Sequence, residues 1–404
     1  MLHTEKIRQI KKSPVFVLIL GILAMLPPLA IDMYLPSFLD IARDLKVNSE
    51  KVQNTLALFT LGFAIGQLLW GPVADSFGRK LPILIGTLVF AATALFLTQV
   101  ENIENFLLLR FIQGFFGSAS AVVLGALLRD LFSKNYFSKM MSMIMLVSMI
   151  APLLAPFIGG NLAKFFHWHS IFYVLTFFGI LSCVLVLWKI PESQPIEKRV
   201  PFSLKTVLRN FALLIREKAV VGYVLAGAFS FAGMFSFLTS GSIVYIDIYQ
   251  IAPENFGYFF IMNMSVMILF TSINGRMVVK VGAEKMLRFG LTMQFLAGCW
   301  LLLVAVFDLG FWPMALGIAA FVGMLSIIGS NAMASILDRF PQVAGTANSL
   351  AGTIRFGTGA IVGFLISLVP VTSAVPMLLS MFLCTLISVL SYYFLTYRGL
   401  SNTE

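Results

Sequence analysis

Apolar residues run along this chain in unbroken stretches rather than in stripes. Twelve such stretches, each about twenty residues or more, are separated by short polar links. Each is long enough to cross roughly 30 Å of hydrocarbon as a helix. The strict alternation of a membrane β-barrel strand is missing from them. The pattern predicts spanning helices near 15–38, 52–70, 81–99, 106–128, 140–162 and 171–190. A second set follows near 220–245, 256–278, 286–307, 312–337, 346–369 and 374–397. The first run is too long for the apolar core of a signal peptide and ends at no small-residue cleavage site.

The longest polar stretch, 191–218, carries Pro191, Pro195 and Pro201 among charged residues. It divides the chain into an N-terminal six-helix unit (1–190), a linker (191–218) and a C-terminal six-helix unit (219–404). Residues 202–216 mix basic and apolar positions, which suits either an amphipathic surface helix or a solvated linker. The fold class is therefore all-α: a polytopic membrane protein of twelve transmembrane helices in two pseudo-symmetric bundles.

Composition agrees, at 59% hydrophobic and 11% charged, where soluble domains carry about a quarter charged residues. The net charge of +10 would suit nucleic acid, but its distribution does not. Of the 28 Lys and Arg, 22 fall in the two termini and in the links after even-numbered helices. That bias places both termini in the cytoplasm and excludes a nucleic-acid partner. Arg43, Lys46, Lys51 and Lys164 fall in the opposite links, and Arg110 and Arg355 lie inside spans. Cys183, Cys299 and Cys384 sit far apart within apolar runs, as core residues with no metal or disulfide spacing. His167 and His169 flank Trp168 at a link on the outer side, which reads as interfacial anchoring. No metal site, cofactor, phosphate-binding loop or enzyme motif emerges.

Between the second and third runs lies Gly71-Pro72-Val73-Ala74-Asp75-Ser76-Phe77-Gly78-Arg79-Lys80. Gly71 and Gly78 tolerate positive φ, Pro72 resists continuing a helix, and the charges need a polar surface. This reads as a tight ten-residue link at the cytoplasmic face. Gly275 and Gly282 repeat the two glycines at an offset of 204 residues, and the same offset carries Ala155 and Gly159 onto Gly359 and Gly363. The halves are thus an internal repeat, with a binding site expected between them.

Within the spans, charges are few. Arg110, Gln113, Gly114, Gly117, Ser118 and Ala121 share one helix face. Ala151, Ala155 and Gly159 make a small-residue stripe on a fifth helix that also holds Pro152 and Pro156. Asp32 is the one acid well inside a predicted span, beside Met33 and Tyr34. An intramembrane charge is a candidate functional group by default.

The 71–80 loop resembles the signature loop of the major facilitator superfamily of secondary transporters. Arg110-Phe111-Ile112-Gln113-Gly114 resembles that superfamily's fourth-helix motif. Ala155-Pro156-Phe157-Ile158-Gly159-Gly160, with Ala151-Pro152 before it, resembles its antiporter motif, with Ala155 replacing a glycine. The stretch around Asp32 resembles the first helix of bacterial drug/proton antiporters of the bicyclomycin and chloramphenicol resistance type. The resemblance implies an inner-membrane, proton-driven exporter of small apolar or amphipathic drugs, working as a monomer without cofactor. A transporter of a polar metabolite such as a sugar or amino acid is the alternative.

The resemblance also implies roles. Asp32 and Arg110 form the proton-coupling pair, at similar depth and in contact directly or through polar groups. Gly71, Asp75, Gly78, Arg79, Lys80 and Asp130 form the conformational switch. In it Asp75 meets the start of the eleventh helix near Gly345 when the protein faces outward, Arg79 pairs with Asp130, and both contacts loosen when it faces inward. Met33, Tyr34, Gln113 and Arg355 are expected to line the substrate cavity, where drug, including cationic drug, and proton compete for one site.

Overall fold

The computed structural model describes residues 14–132, 134–339 and 344–397. The basic N-terminal residues Lys6, Arg8, Lys11 and Lys12 lie outside them. The described residues hold twelve candidate spans and no strand. The first half comprises α1 (Val15–Asp44), α2 (Ser49–Phe77), α3 (Lys80–Leu97), α4 (Ile103–Leu131), α5 (Met140–Phe166) and α6 (His169–Lys189). The second comprises α7 (Lys218–Ile248), α8 (Pro253–Val281), α9 (Ala283–Phe307), α10 (Phe311–Asp338), α11 (Ala347–Ser367) and α12 (Val375–Tyr397). A thirteenth helix, Leu204–Arg216, occupies the linker. Ser203 caps it through its hydroxyl, and it buries Phe211 and Leu214 against the second half.

Prolines set the breaks. The regular part of α1 ends at Asp32, four residues before Pro36, whose ring clashes with that carbonyl and offers it no N–H. The chain then passes a 3-10 turn, Leu35–Ser37, before resuming as Phe38–Asp44. α5 breaks at Met149, next to Ser148, the carbonyl that Pro152 cannot satisfy.

Two expectations are corrected here. Gly71 is not in the link: α2 continues through Gly71 and Pro72 to Phe77, leaving only Gly78 and Arg79 between helices. One missing backbone bond near a helix end is tolerated, and the Ser76 hydroxyl bonds the Pro72 carbonyl one turn on. Trp168 is not an interfacial anchor. It is 1% exposed and packs on Phe106 and Phe172.

Gly78 and Gly282 both adopt φ +92°, a region that L side chains rarely enter. The internal repeat is therefore reproduced in backbone conformation at the 204-residue offset.

The halves meet along two seams. α2 packs on α11 over most of its length: Asn54 bonds the Ser367 hydroxyl near one end, and Ser349 donates to the Gln67 carbonyl at 2.7 Å toward the other. α5 meets α8 only at the end remote from the linker. There Phe157 stacks on Tyr258, Lys164 pairs with Glu254 at 2.7 Å, and backbones approach through glycines. A Cβ on Gly257 would lie 2.5 Å from Phe157 Cα, and one on Gly160 2.7 Å from the Pro253 carbonyl oxygen. The remote face is closed by these contacts, and the cavity between the halves opens on the linker side.

The closed seam yields a test. Gly257→Val forces a side chain into the Phe157 backbone, so it should bias the protein toward opening on the remote face. Spin labels placed across the α5–α8 seam should show a longer distance population by pulsed electron resonance. An unchanged distribution would mean that this seam does not set the closed state.

Candidate functional site

The cavity between the halves has a volume of about 780 Å³, within the usual range for small-molecule sites. Its upper wall includes Phe63 and Phe356, whose rings lie 4.5 Å apart across the α2–α11 seam. Methionines from α5 (Met141, Met145) and α10 (Met333) line its sides. Phe202, Val207 and Phe211 of the linker border its mouth.

Arg355 projects into this space, as its place in the α11 stripe predicts. Its guanidinium lies 4.9 Å from the Phe231 ring centre and 5.1 Å from that of Phe356. No ion pair to it occurs among the described residues. Arg79 and Arg129 also line the cavity, against one acid among the described residues, Asp75.

The other three cavity candidates fall elsewhere. Met33, Tyr34 and Gln113 are buried within the first half and do not line the cavity. Gln113, on α4, is held inside the half by its bond with Arg110, and for Met33 and Tyr34 the reason is the break in α1. It turns the chain at Met33, and the Gly159 backbone of α5 then packs directly on the Met33 carbonyl, where an added Cβ would lie at 1.7 Å.

Arg110 is 0% exposed. It donates to Gln113 Oε1 at 2.7 Å and to the Ala30 carbonyl at 2.9 Å. Its guanidinium is 4.3 Å from the Tyr34 ring centre and 4.4 Å from that of Phe59. Tyr34 in turn shares a hydrogen bond with Thr55 at 3.2 Å. Cation–π contact and carbonyl acceptors hold the charge without a carboxylate. No ion pair joins Arg110 to Asp32 among the described residues, contrary to the simplest sequence expectation. Asp32 is 4% exposed, two residues beyond Ala30. It lies eight residues past Ala24, which lines the cavity, so roughly 12 Å further along α1 toward the closed face. Arg110 Nε, Gln113 Nε2 and both amide atoms of Gln53 are buried without a protein partner. Unpaired polar atoms at this density mark a polar core in the first half.

At the linker face, Arg79 joins two helices. It donates to Asp75 at 2.6 Å and to Asp130 at 2.9 Å. Burial opposes its charge, but the bonds and charges of Asp130 and Asp75 outweigh that and raise its pKa above the usual guanidinium range. These pairs are intact although the face is open, so the expected loosening does not occur in the Arg79–Asp130 pair. All three residues belong to one half, which keeps its internal contacts when the other swings away. The expected contact of Asp75 with Gly345 and Thr346 involves side chains outside those described.

A residue that the sequence reading missed completes this cluster. Glu192 of the linker accepts from the backbone N–H groups of Arg79 at 2.8 Å and Lys80 at 3.1 Å, at the start of α3. It also accepts from the N–H groups of Ser193 and Gln194. A carboxylate there satisfies orphan donors and the helix dipole. Ser76 bonds the Val200 carbonyl at 2.7 Å, and Val200 N–H bonds that of Asp75. The linker is thus tied to the signature loop. Nothing local in Pro191-Glu192-Ser193 marks this, because the partner lies 113 residues away.

A sequence profile described as Major Facilitator Superfamily matches residues 18–364. The chain belongs to that superfamily. It is a multi-pass membrane transporter, not an enzyme. A bicyclomycin resistance protein homolog of Haemophilus influenzae is 57% identical over 394 residues, covering 98% of this chain and 99% of that one. The multidrug resistance protein MdtL of Vibrio parahaemolyticus is 28% identical over 351 residues, 84% of this chain and 85% of its own. A D-xylose–proton symporter superposes with a TM-score of 0.74 at 15% identity, over 95% of this chain and 97% of that one. The nucleoside transporter NupG superposes at 0.73 and 14%, over 96% and 98%. At those identities the superpositions speak to the superfamily fold alone.

Glu192→Gln removes the charge from the α3 cap, worth about 1 kcal/mol. The amides of Arg79 and Lys80 should then exchange with deuterium about fivefold faster, with exchange in α9 unaltered. Unaltered protection at Arg79 and Lys80 would show that the linker carboxylate does not hold this end.

Proposed function

We propose that this transporter exports small, mostly apolar or amphipathic compounds in exchange for protons by alternating access, as a monomer in a bacterial inner membrane. Antibiotics of the bicyclomycin and chloramphenicol type are the expected substrates. The observation that carries the reading is a mostly apolar cavity open on one face, together with Asp32, the one buried acid among the described residues, which lies toward the other face and does not line that cavity. The names of the Haemophilus and Vibrio relatives support the drug class. The basic bias of the links supports a cytoplasmic linker face with both termini on that side. The cavity would then take its cargo from the cytoplasm or the inner leaflet.

The charge balance of the cavity refines the substrate. With Arg79 held by Asp75 and Asp130, Arg129 and Arg355 remain as the cationic groups of the cavity; they favour neutral or anionic compounds that offer hydrogen-bond acceptors, and disfavour cations. A sugar or amino-acid carrier would need denser amide lining than Gln67, Asn210 and Asn348 among the Phe and Met side chains.

Coupling in this reading runs through α1 and not through competition for one pocket. Gaining or losing a proton at Asp32 changes whether an uncompensated charge is buried at the break in α1, and such a charge is costly. Met33, the next residue, bears on Gly159 of α5, and the same end of α5 carries Phe157 and Lys164 of the closed seam. Protonation from the outside would thus bear on the contacts that close the outside.

Asp32→Asn should abolish drug uptake driven by a pH gradient in inverted proteoliposomes, while drug binding to the purified protein stays within a few-fold of wild type. Gradient-driven uptake that survives in Asp32→Asn would place coupling elsewhere. Arg355→Gln should weaken binding of a neutral acceptor-rich drug at least several-fold, with Arg355→Lys intermediate. Equal affinity in all three proteins would remove Arg355 from the substrate site.

A further inference from the structure

At the face remote from the linker, α5 ends at Phe166 and α6 begins at His169. His167 caps α5 with φ +69°, in the left-handed region. Trp168, held in the core by Phe106 and Phe172, fixes the backbone between the two histidines. The His169 ring stacks on the Trp168 indole at 3.7 Å between centres, and the His167 ring lies edge to edge with that of His169, nearly coplanar at 20° with centres 4.8 Å apart. Their Nδ1 atoms face each other at 2.7 Å, one donating to the other. The same indole donates its N–H to Asp44 Oδ2 at 3.0 Å, which brings the outer end of α1 to the pair. Ligand atoms of Asp44, His167 and His169 all lie within 4.8 Å of one another.

We propose that Asp44, His167 and His169 form a binding site for a borderline divalent transition-metal ion such as Zn²⁺. Two imidazoles and one carboxylate suit Zn²⁺, Ni²⁺ or Cu²⁺ and do not suit Mg²⁺ or Ca²⁺, which prefer oxygen. The ion takes the place of the proton shared between the two Nδ1 atoms. Two nitrogens at about 2.0 Å from a tetrahedral ion stand about 3.3 Å apart, so the rings need to separate by about 0.6 Å and to turn until both lone pairs converge on the ion. The donating ring then carries its proton on Nε2, and no net proton is lost. The Trp168 N–H to Asp44 is the outer-shell bond that orients a ligating carboxylate. Asp44 and His167 are exposed and His169 is half-buried, so the ion has an open approach and room for water ligands. All three ligands belong to the first half. The ion therefore staples α1 to the α5–α6 link without bridging the α5–α8 seam.

The chain has three histidines in all, so a test can be clean. The full-length protein, purified through a tag without histidine and carrying His3→Ala, is titrated with Cu²⁺ and read by electron paramagnetic resonance. One ion per chain with hyperfine coupling to two nitrogens is expected, displaced by Zn²⁺ and not by excess Ca²⁺. His167→Asn, which keeps a residue tolerant of positive φ, and His169→Gln should each weaken binding at least tenfold and remove one nitrogen coupling. Asp44→Asn should weaken binding and leave both couplings. In the unmutated protein, Zn²⁺ should protect His167 and His169 from diethylpyrocarbonate, as read by mass spectrometry. The proposal is overturned by equal modification with and without Zn²⁺, or by Cu²⁺ coupling that persists in the double histidine variant.

Discussion

Hydrocarbon does not tolerate an unheld charge, and the placement of almost every ionisable group in this transporter follows from that. Among the described residues, three charged side chains lie deep within the spans, away from the helix ends, and each meets the constraint differently. Arg110 spends its charge on two aromatic faces, an amide and the Ala30 carbonyl, and so fastens α4 to α1. Arg355 sits in the open cavity, where water or cargo can meet it. Asp32 has neither arrangement. It is buried at a helix break, and a proton is the simplest way to discharge it. The same rule puts Asp75, Arg79 and Asp130 at the linker face, where three charges hold one another at a polar surface.

The fold was largely legible because its signals are local. Run lengths mark twelve spans but not the break before Pro36: the first run extends to 38 in the sequence reading, and α1 continues unbroken through Pro27 and Pro28. Two glycines 204 residues apart announce a repeat that the backbone then shows, with the same φ at Gly78 and Gly282. The site was less legible, because its geometry depends on how halves and links meet. Gly71 and Pro72 look like link residues, yet a helix end near a polar surface absorbs them. Met33 and Tyr34 carry cavity-like chemistry, but the turn in α1 tucks them behind α5, and Gln113 of α4 is engaged by Arg110 inside the first half. Glu192 has no signature of its own, since a helix cap made across 113 residues leaves no periodic trace. Trp168 looks like a belt residue by type and proves to be a core residue by contact.

The separation of Arg355 from Asp32 bears on how exchange is enforced. If drug and proton shared one pocket, exclusion would be steric or electrostatic at that pocket. Here the cargo cavity ends near Ala24, and the acid lies some two turns further along the same helix. What the two places share is α1 and its contact with α5. A small change at Asp32 can act at long range only if the element between them has two arrangements. The Met33–Gly159 contact is suited to that: with no side chain on one partner, the helices touch backbone to backbone, and a change at the break passes directly into α5.

The two seams between the halves are unequal, and that inequality says how such a change becomes motion. The α2–α11 seam is long and, apart from Gln67 and the Phe63–Phe356 ring contact, made of small surfaces. Gly352, Gly357 and Gly363 of α11 face Gln67, Ala64 and Ala57 of α2. Small residues on both sides let helices roll without unlocking side chains. The α5–α8 seam is short, confined to one end, and relies on the Gly160 and Gly257 backbone contacts with the Lys164–Glu254 pair outside them. That pair is partly exposed, and an exposed pair is worth about 1 kcal/mol or less. A seam of this kind can be broken and remade at little cost, whereas the longer one cannot be undone without separating the halves. In the proposed alternating-access cycle, the α2–α11 contact therefore serves as the pivot and the α5–α8 contact as the gate. The acid at the break of α1 sits on the gate's side of that arrangement, where the cost of one uncompensated buried charge, several kcal/mol, exceeds what the partly exposed Lys164–Glu254 pair contributes.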